Sequence, residues 1–168
     1  AFGLSQGGSE ESVLHVLEVD DGKILGLRIS RVMFGVVNWL EDNRSFVYHR
    51  FSELPAGAPE NEKFNNSRTY LHRLGDDPEA DPVVFGLGVN PAVDLAPGDF
   101  PFVFTSPVSD WMVGYVAHGV LNEATIYTAP RSTLERPALI PWRKVADVED
   151  AVTGFDITGE TIFLKSHQ

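Results

Sequence analysis

The sequence predicts an all-β chain, a partial β-propeller with about three blades' worth of four-stranded antiparallel sheets. Three observations carry this. Gly and Pro together supply 26 of the 168 residues, scattered along the length, and strong helical periodicity is hard to find. Short β-branched and aromatic runs, from "MFGVVNWL" through "FPFVFTS" to "ETIFLKS", alternate with clusters of Asp, Asn, Gly and Pro, as strands alternate with turns. A unit also repeats. Trp39, Phe104 and Phe155 each precede a polar turn and then, seven residues on, Phe46, Trp111 and Ile162. The unit starts lie 65 and 51 residues apart. A blade cannot bury both of its faces alone, so such a period implies sheets stacked radially on their neighbours.

The elements follow in order. "SEESVLHVLEV" fits period 3.6 about as well as period 2, but it ends in Asp20-Asp21-Gly22. That is a hairpin signal, so the segment is assigned to a strand. "MFGVVNWL" and "SFVYHRF" are joined by the turn "LEDNRS", and "RTYLHRL" and "PVVFGLG" supply a third and a fourth strand. The extra length of this unit sits in the polar loop "SELPAGAPENEKFNNS". The next unit runs "FPFVFTS", "WMVGYVAH", "ATIYTA" and "ALIPWRK", and a last one stops after two strands at Gln168. The expected division is a half-blade 1–32, blades 33–90 and 99–147, and a half-blade 151–168. The chain opens with Ala directly in strand-like sequence, and reads as a piece cut from something longer.

Composition removes several function classes. A formal charge of −11 argues against nucleic acid or anionic lipid as partners, since both demand basic surface. Without cysteine there is no disulfide, thiol chemistry or cysteine-based zinc site, and cytosol and periplasm fit equally. No apolar run approaches a membrane span, and no signal-peptide pattern is visible.

One motif asks for a nucleophile. Gly3-Leu4-Ser5-Gln6-Gly7 spells G-x-S-x-G, the elbow that lifts a serine between a strand and a helix. Only four residues precede Ser5 and another glycine pair follows it, which leaves no room for the supporting sheet. Ser5 is therefore expected in a turn. His49, His118 and His167 close similar strands in different units; they should lie around a ring rather than converge on zinc. His15 and His72 read as packed or edge residues. The acidic group Asp76, Asp77, Glu79 and Asp81 lacks a calcium-loop pattern and reads as a solvated hairpin turn. Asn43 and Asn65 head glycosylation sequons, which are frequent by chance. The 18 aromatic residues are expected to pack blades. No cofactor and no metal is expected.

"AFGLSQGGSEESVLHVLEVDDGK", "RVMFGVVNW", "FVYHRF", "RTYLHRLGDDP" and "TSPVSDWMVGYVAHG", taken in order, resemble the propeller domain of prolyl oligopeptidases, serine peptidases that cut short peptides after proline. The resemblance runs over essentially the whole chain. It implies a propeller that caps an α/β-hydrolase peptidase domain and restricts access to small peptides; that second domain has no counterpart in these residues. It places "GLSQGGSE" in a loop between blade strands. By resemblance, Phe34, Phe100 and Val120 match propeller positions that line the pocket for the substrate residue upstream of proline. Phe34 matches by residue type and context, Phe100 and Val120 by alignment alone, with inter-blade core as their ordinary reading. Glu10 falls where the family can place an acidic residue facing an arginine of the peptidase domain. The implied partners are that peptidase domain and short proline-containing peptides. The cut edges of the sheets imply a homo-oligomer, or a compact monomer if the two half-blades meet. A free-standing propeller-type interaction module is the alternative, and a small esterase using Ser5 is disfavoured.

Overall fold

Twelve strands and no α-helix make up the computed structural model over its described residues, 1–167; Gln168, where the last predicted half-blade ends, lies outside them. The strands are β1 (Phe2–Leu4), β2 (Glu11–Leu17), β3 (Ile24–Trp39), β4 (Ser45–Arg50), β5 (Arg68–Arg73) and β6 (Val83–Gly86) in one sheet. A second sheet holds β7 (Asp99–Thr105), β8 (Trp111–His118), β9 (Ala124–Pro130) and β10 (Arg143–Ala146), and a third pairs β11 (Val152–Thr158) with β12 (Thr161–Ser166). Every pairing is antiparallel between neighbours in sequence, as hairpin-linked strands must be. The chain is all-β and partial-propeller in architecture.

In β2 period 2 wins over period 3.6. Ser12, Leu14 and Val16 are buried while their neighbours are not, because one face packs on Ile29 and Val32 of β3. The long β3 serves two neighbours: residues up to Met33 pair with β2, and Val37–Trp39 pair with β4. Between them the strand turns sharply, with positive φ at Arg31, Phe34 and Gly35. Gly3 meets this bend so closely that a Cβ on it would lie 2.6 Å from the Gly35 Cα. Two backbones approach there without side chains between them, which only glycine permits.

Apolar side chains fill the space between successive sheet segments in three layers. Leu14, Ile29, Val32, Phe46 and Tyr48 join the first half of β3 to β4. Val47, Phe85, Val103, Met112, Tyr127 and Trp142 join the first sheet to the second. Val113, Ile126, Val152 and Ile157 join the second to the third. The middle layer packs closely: a Cβ on Gly114 would lie 2.8 Å from the Phe85 ring, itself held against Tyr127 and Trp142.

Two local expectations are corrected, and the seven-residue repeat resolves into a register. Of the three repeated pairs, only Trp39 and Phe46 face each other directly. In the next hairpin Phe104 faces Val113, and in the last Phe155 faces Leu164, because the repeat falls one residue out of register there: the facing pairs seven apart are Thr105–Met112 and Asp156–Phe163. "ALIPWRK" is not one strand: Pro137–Leu139 form a 3-10 turn and pairing begins only at Arg143, since a proline has no N–H to give a ladder. The acidic turn is not simply solvated. The Asp81 carboxylate is buried against Tyr48 and His72, and Glu79 pairs with Arg50 and Arg31.

Candidate functional site

The site grows out of the bend in β3. Phe34 holds φ at 53°, a left-handed conformation that a bulky residue rarely keeps without support. Its amide donates to the Glu10 carbonyl at 2.8 Å, and the ring is left 56% exposed. Two sequence candidates, Glu10 and Phe34, thus touch through the backbone, while the Glu10 carboxylate faces solvent. Beneath Phe34 lies a cavity of about 260 Å³, lined mainly by Val36, Val37, His49, Phe102 and Phe104.

Phe100 stands near this cavity but not in it. Its half-buried ring lies 6.1 Å from that of His49 and 6.3 Å from that of Phe64. Val120 occupies the turn between β8 and β9 and is fully exposed. The pairing of Asp99 with His118 puts Phe100 and Val120 at the same end of the second sheet. Phe34 and Phe100 are linked through His49; Val120 stands apart from both.

On the sequence, His49 is expected to lie around a ring with His118 and His167. In the structure it is 3% exposed, tilted against the Phe102 ring at 4.7 Å, and neither ring nitrogen has a hydrogen-bond partner. Burial pushes its pKa down to about 3, so the ring stays neutral. His72, His118 and His167 are partnered. His72 Nδ1 lies 3.0 Å from the Asp81 carboxylate, which also accepts from the Tyr48 hydroxyl at 2.8 Å. Burial first, and Asp81 second, keep that phenol protonated. His118 lies 2.8 Å from both Asp99 and Thr125, and Thr125 donates to Asp147. A hydrogen bond from Lys144 holds the Asp147 carboxyl below the usual range. His167 contacts Glu123 at 3.3 Å. No pattern in the sequence separates the orphan His49 from these.

A second, larger cavity of about 1230 Å³ opens at the opposite end, among the turns after β3, β5, β7 and β9. Its carboxylates are largely engaged. Glu41 and Asp110 pair with Arg131, and Asp42 accepts from the Arg44 and Ser45 amides. Ser5 lies exposed between β1 and β2, a strand on either side and no helix after it. The G-x-S-x-G match is a turn.

The sequence profile of the prolyl oligopeptidase N-terminal beta-propeller domain matches residues 1–95, more than half of the chain. The chain belongs to that family. A prolyl oligopeptidase of Omphalotus olearius is 30% identical to this propeller over 95 residues, covering 50% of the chain and 13% of that protein. A prolyl endopeptidase structure superposes on 98% of the propeller chain with a TM-score of 0.67 and 24% identity, covering 25% of its own length. Apo prolyl oligopeptidase B from Galerina marginata does so over 96%, with a TM-score of 0.66 and 19% identity, covering 22% of its own chain. The propeller chain therefore spans an eighth to a quarter of these relatives.

Proposed function

We propose that this chain acts as the substrate-gating, non-catalytic propeller of a serine peptidase that hydrolyses short peptides after proline. The observation that carries the reading is Phe34, an exposed aromatic held in a strained backbone beside an open apolar cavity, in a chain of the prolyl oligopeptidase propeller family. Strain of this kind persists where the surroundings enforce it and is concentrated at functional sites. In this reading Phe34, Phe100 and Val120 face the peptide, Glu10 meets the peptidase domain, and the blades divide at 1–32, 33–90, 99–147 and 151–168. Catalysis belongs to the peptidase domain, and the chain alone turns over no peptide. In the full-length protein, Phe34→Ala is expected to lower kcat/KM roughly ten- to two-hundred-fold, the effect of one lost apolar contact. A variant with reduced stability and an unchanged specificity constant would assign Phe34 to packing alone.

The isolated chain is further proposed to self-associate. The β1 and β12 edges carry Leu4 and Phe163, each 58% exposed, and open edges of this kind pair with other chains. Light scattering at micromolar concentration is expected to give a dimer or larger closed assembly; a mass near 18.5 kDa would mean a monomer.

A further inference from the structure

We propose that the cavity beside His49 binds an aromatic ring bearing a hydroxyl, a tyrosyl side chain, with the His49 imidazole as its hydrogen-bond partner. Buried polar groups in folded proteins are partnered in about nine cases of ten or more. His49 is 3% exposed and has neither ring nitrogen satisfied, whereas His72 and His118 nearby both hold carboxylates. The unsatisfied ring adjoins the cavity of about 260 Å³, somewhat below the ~300 Å³ at which drug-sized pockets begin. A single side chain suits that size. Phe34 and Val36, 56% and 59% exposed, border it and give a route in.

The lining selects the ligand's chemistry. Phe34, Phe102, Phe104 and Tyr115 present ring faces and edges, which favour an aromatic guest. Three other polar groups of the lining are engaged: Tyr48 donates to Asp81, Thr69 to the Pro101 carbonyl, and Asn38 accepts from the Thr105 amide at 2.6 Å. A water needs two to four polar partners and finds few. A neutral imidazole offers one donor and one acceptor, and a phenol hydroxyl is both, so it satisfies either tautomer. A carboxylate or ammonium guest would instead arrive as an unpaired buried charge. That the guest is part of a peptide rests on the gating function proposed above; the ring-and-hydroxyl chemistry does not.

The test compares p-cresol with toluene, the same ring without its hydroxyl, as probes of the 168-residue chain. Calorimetry is expected to show p-cresol binding at least roughly tenfold more tightly, because a site built to hydrogen-bond discriminates against a guest that lacks the group. Bound p-cresol is also expected to shift the ¹⁵N resonances of the His49 ring. His49→Phe should abolish the preference; if that variant fails to fold, the ¹⁵N shifts in the unmodified chain decide. Equal affinities, binding that leaves the His49 nitrogens unmoved, or no binding at millimolar concentration would each overturn the assignment. Peptide turnover does not enter this assay. Cresol binding together with a neutral Phe34→Ala in the full-length enzyme would sink the gating function alone, and the converse would sink the pocket alone.

Discussion

Strands β4 and β12 make an instructive pair. Each has six residues, each is the second strand of its hairpin, and their sequences, SFVYHR and TIFLKS, are similarly apolar. Every residue of β4 is buried, whereas five of the six in β12 are exposed. In-sheet pairing is only part of the cause: β4 is paired on both sides and β12 on one. The rest is what lies across the faces. β4 runs between β3 and β5 and sends Phe46 and Tyr48 into one packed layer and Val47 into another. β12 edges a two-stranded sheet with a single covered face. Stacking decides burial, and burial then dictates chemistry. Arg50 in β4 has to be satisfied by the Ser30 carbonyl and Glu79, while Lys165 in β12 stands in water.

Phe46 is fully buried between Trp39, Tyr48 and His72. Phe46→Ala should destabilise the fold by about 3–5 kcal/mol, the cost of emptying an aromatic site that cannot collapse. Urea unfolding measures it, and a loss under about 1 kcal/mol would mean that β4 is not held by its stacked neighbours.

A smaller effect comes from protons. His49 titrates near 3 in the folded chain against 6.5 ordinarily, so as pH falls below 6.5 the unfolded chain takes up a proton that the folded one refuses. Stability is full above about pH 7 and declines from pH 6.5 toward 3, by up to about 1.4 kcal/mol per pH unit for one proton. Glu79, held low by its hydrogen bond from Arg50, and Asp147, held low by Lys144, add losses only as pH falls below their ordinary values of 4.5 and 3.8. Replacing the imidazole with His49→Phe is therefore expected to flatten unfolding curves between pH 6.5 and 5. An unchanged slope in that window would show that the ring is not dry.

The smallest effect belongs to β12. Measured below the concentration at which the proposed self-association sets in, Phe163, 58% exposed, should tolerate Ala within about 0.5 kcal/mol, as surface positions do. A loss like that at Phe46 would reveal a partner covering this strand.

Much of the architecture was legible in the residues. Strand runs broken by Gly, Pro, Asp and Asn marked the hairpins, and Asp20-Asp21-Gly22 correctly turned an ambiguous segment into β2. These signals are local: a turn needs particular backbone angles, and a half-buried strand alternates with period 2. The candidate site was legible only in part. Phe34 was identified by its context and proved exposed at a strained bend, but the Glu10 carbonyl that caps its amide carries no side-chain signature. His49, His72 and His118 look alike as letters.

By itself, then, the sequence determined an all-β chain of repeated hairpins, an acidic surface, and a serine motif that could not be an elbow. The tertiary structure alone decided that β3 serves two sheet segments and that Asp81 is buried while its acidic neighbours are not. It alone decided that His49, unlike His72, is left without a carboxylate. The reason is one of range. Turn chemistry and strand periodicity act over a few residues and are written there, whereas burial and hydrogen-bond satisfaction depend on which side chains distant strands bring across a stacked face.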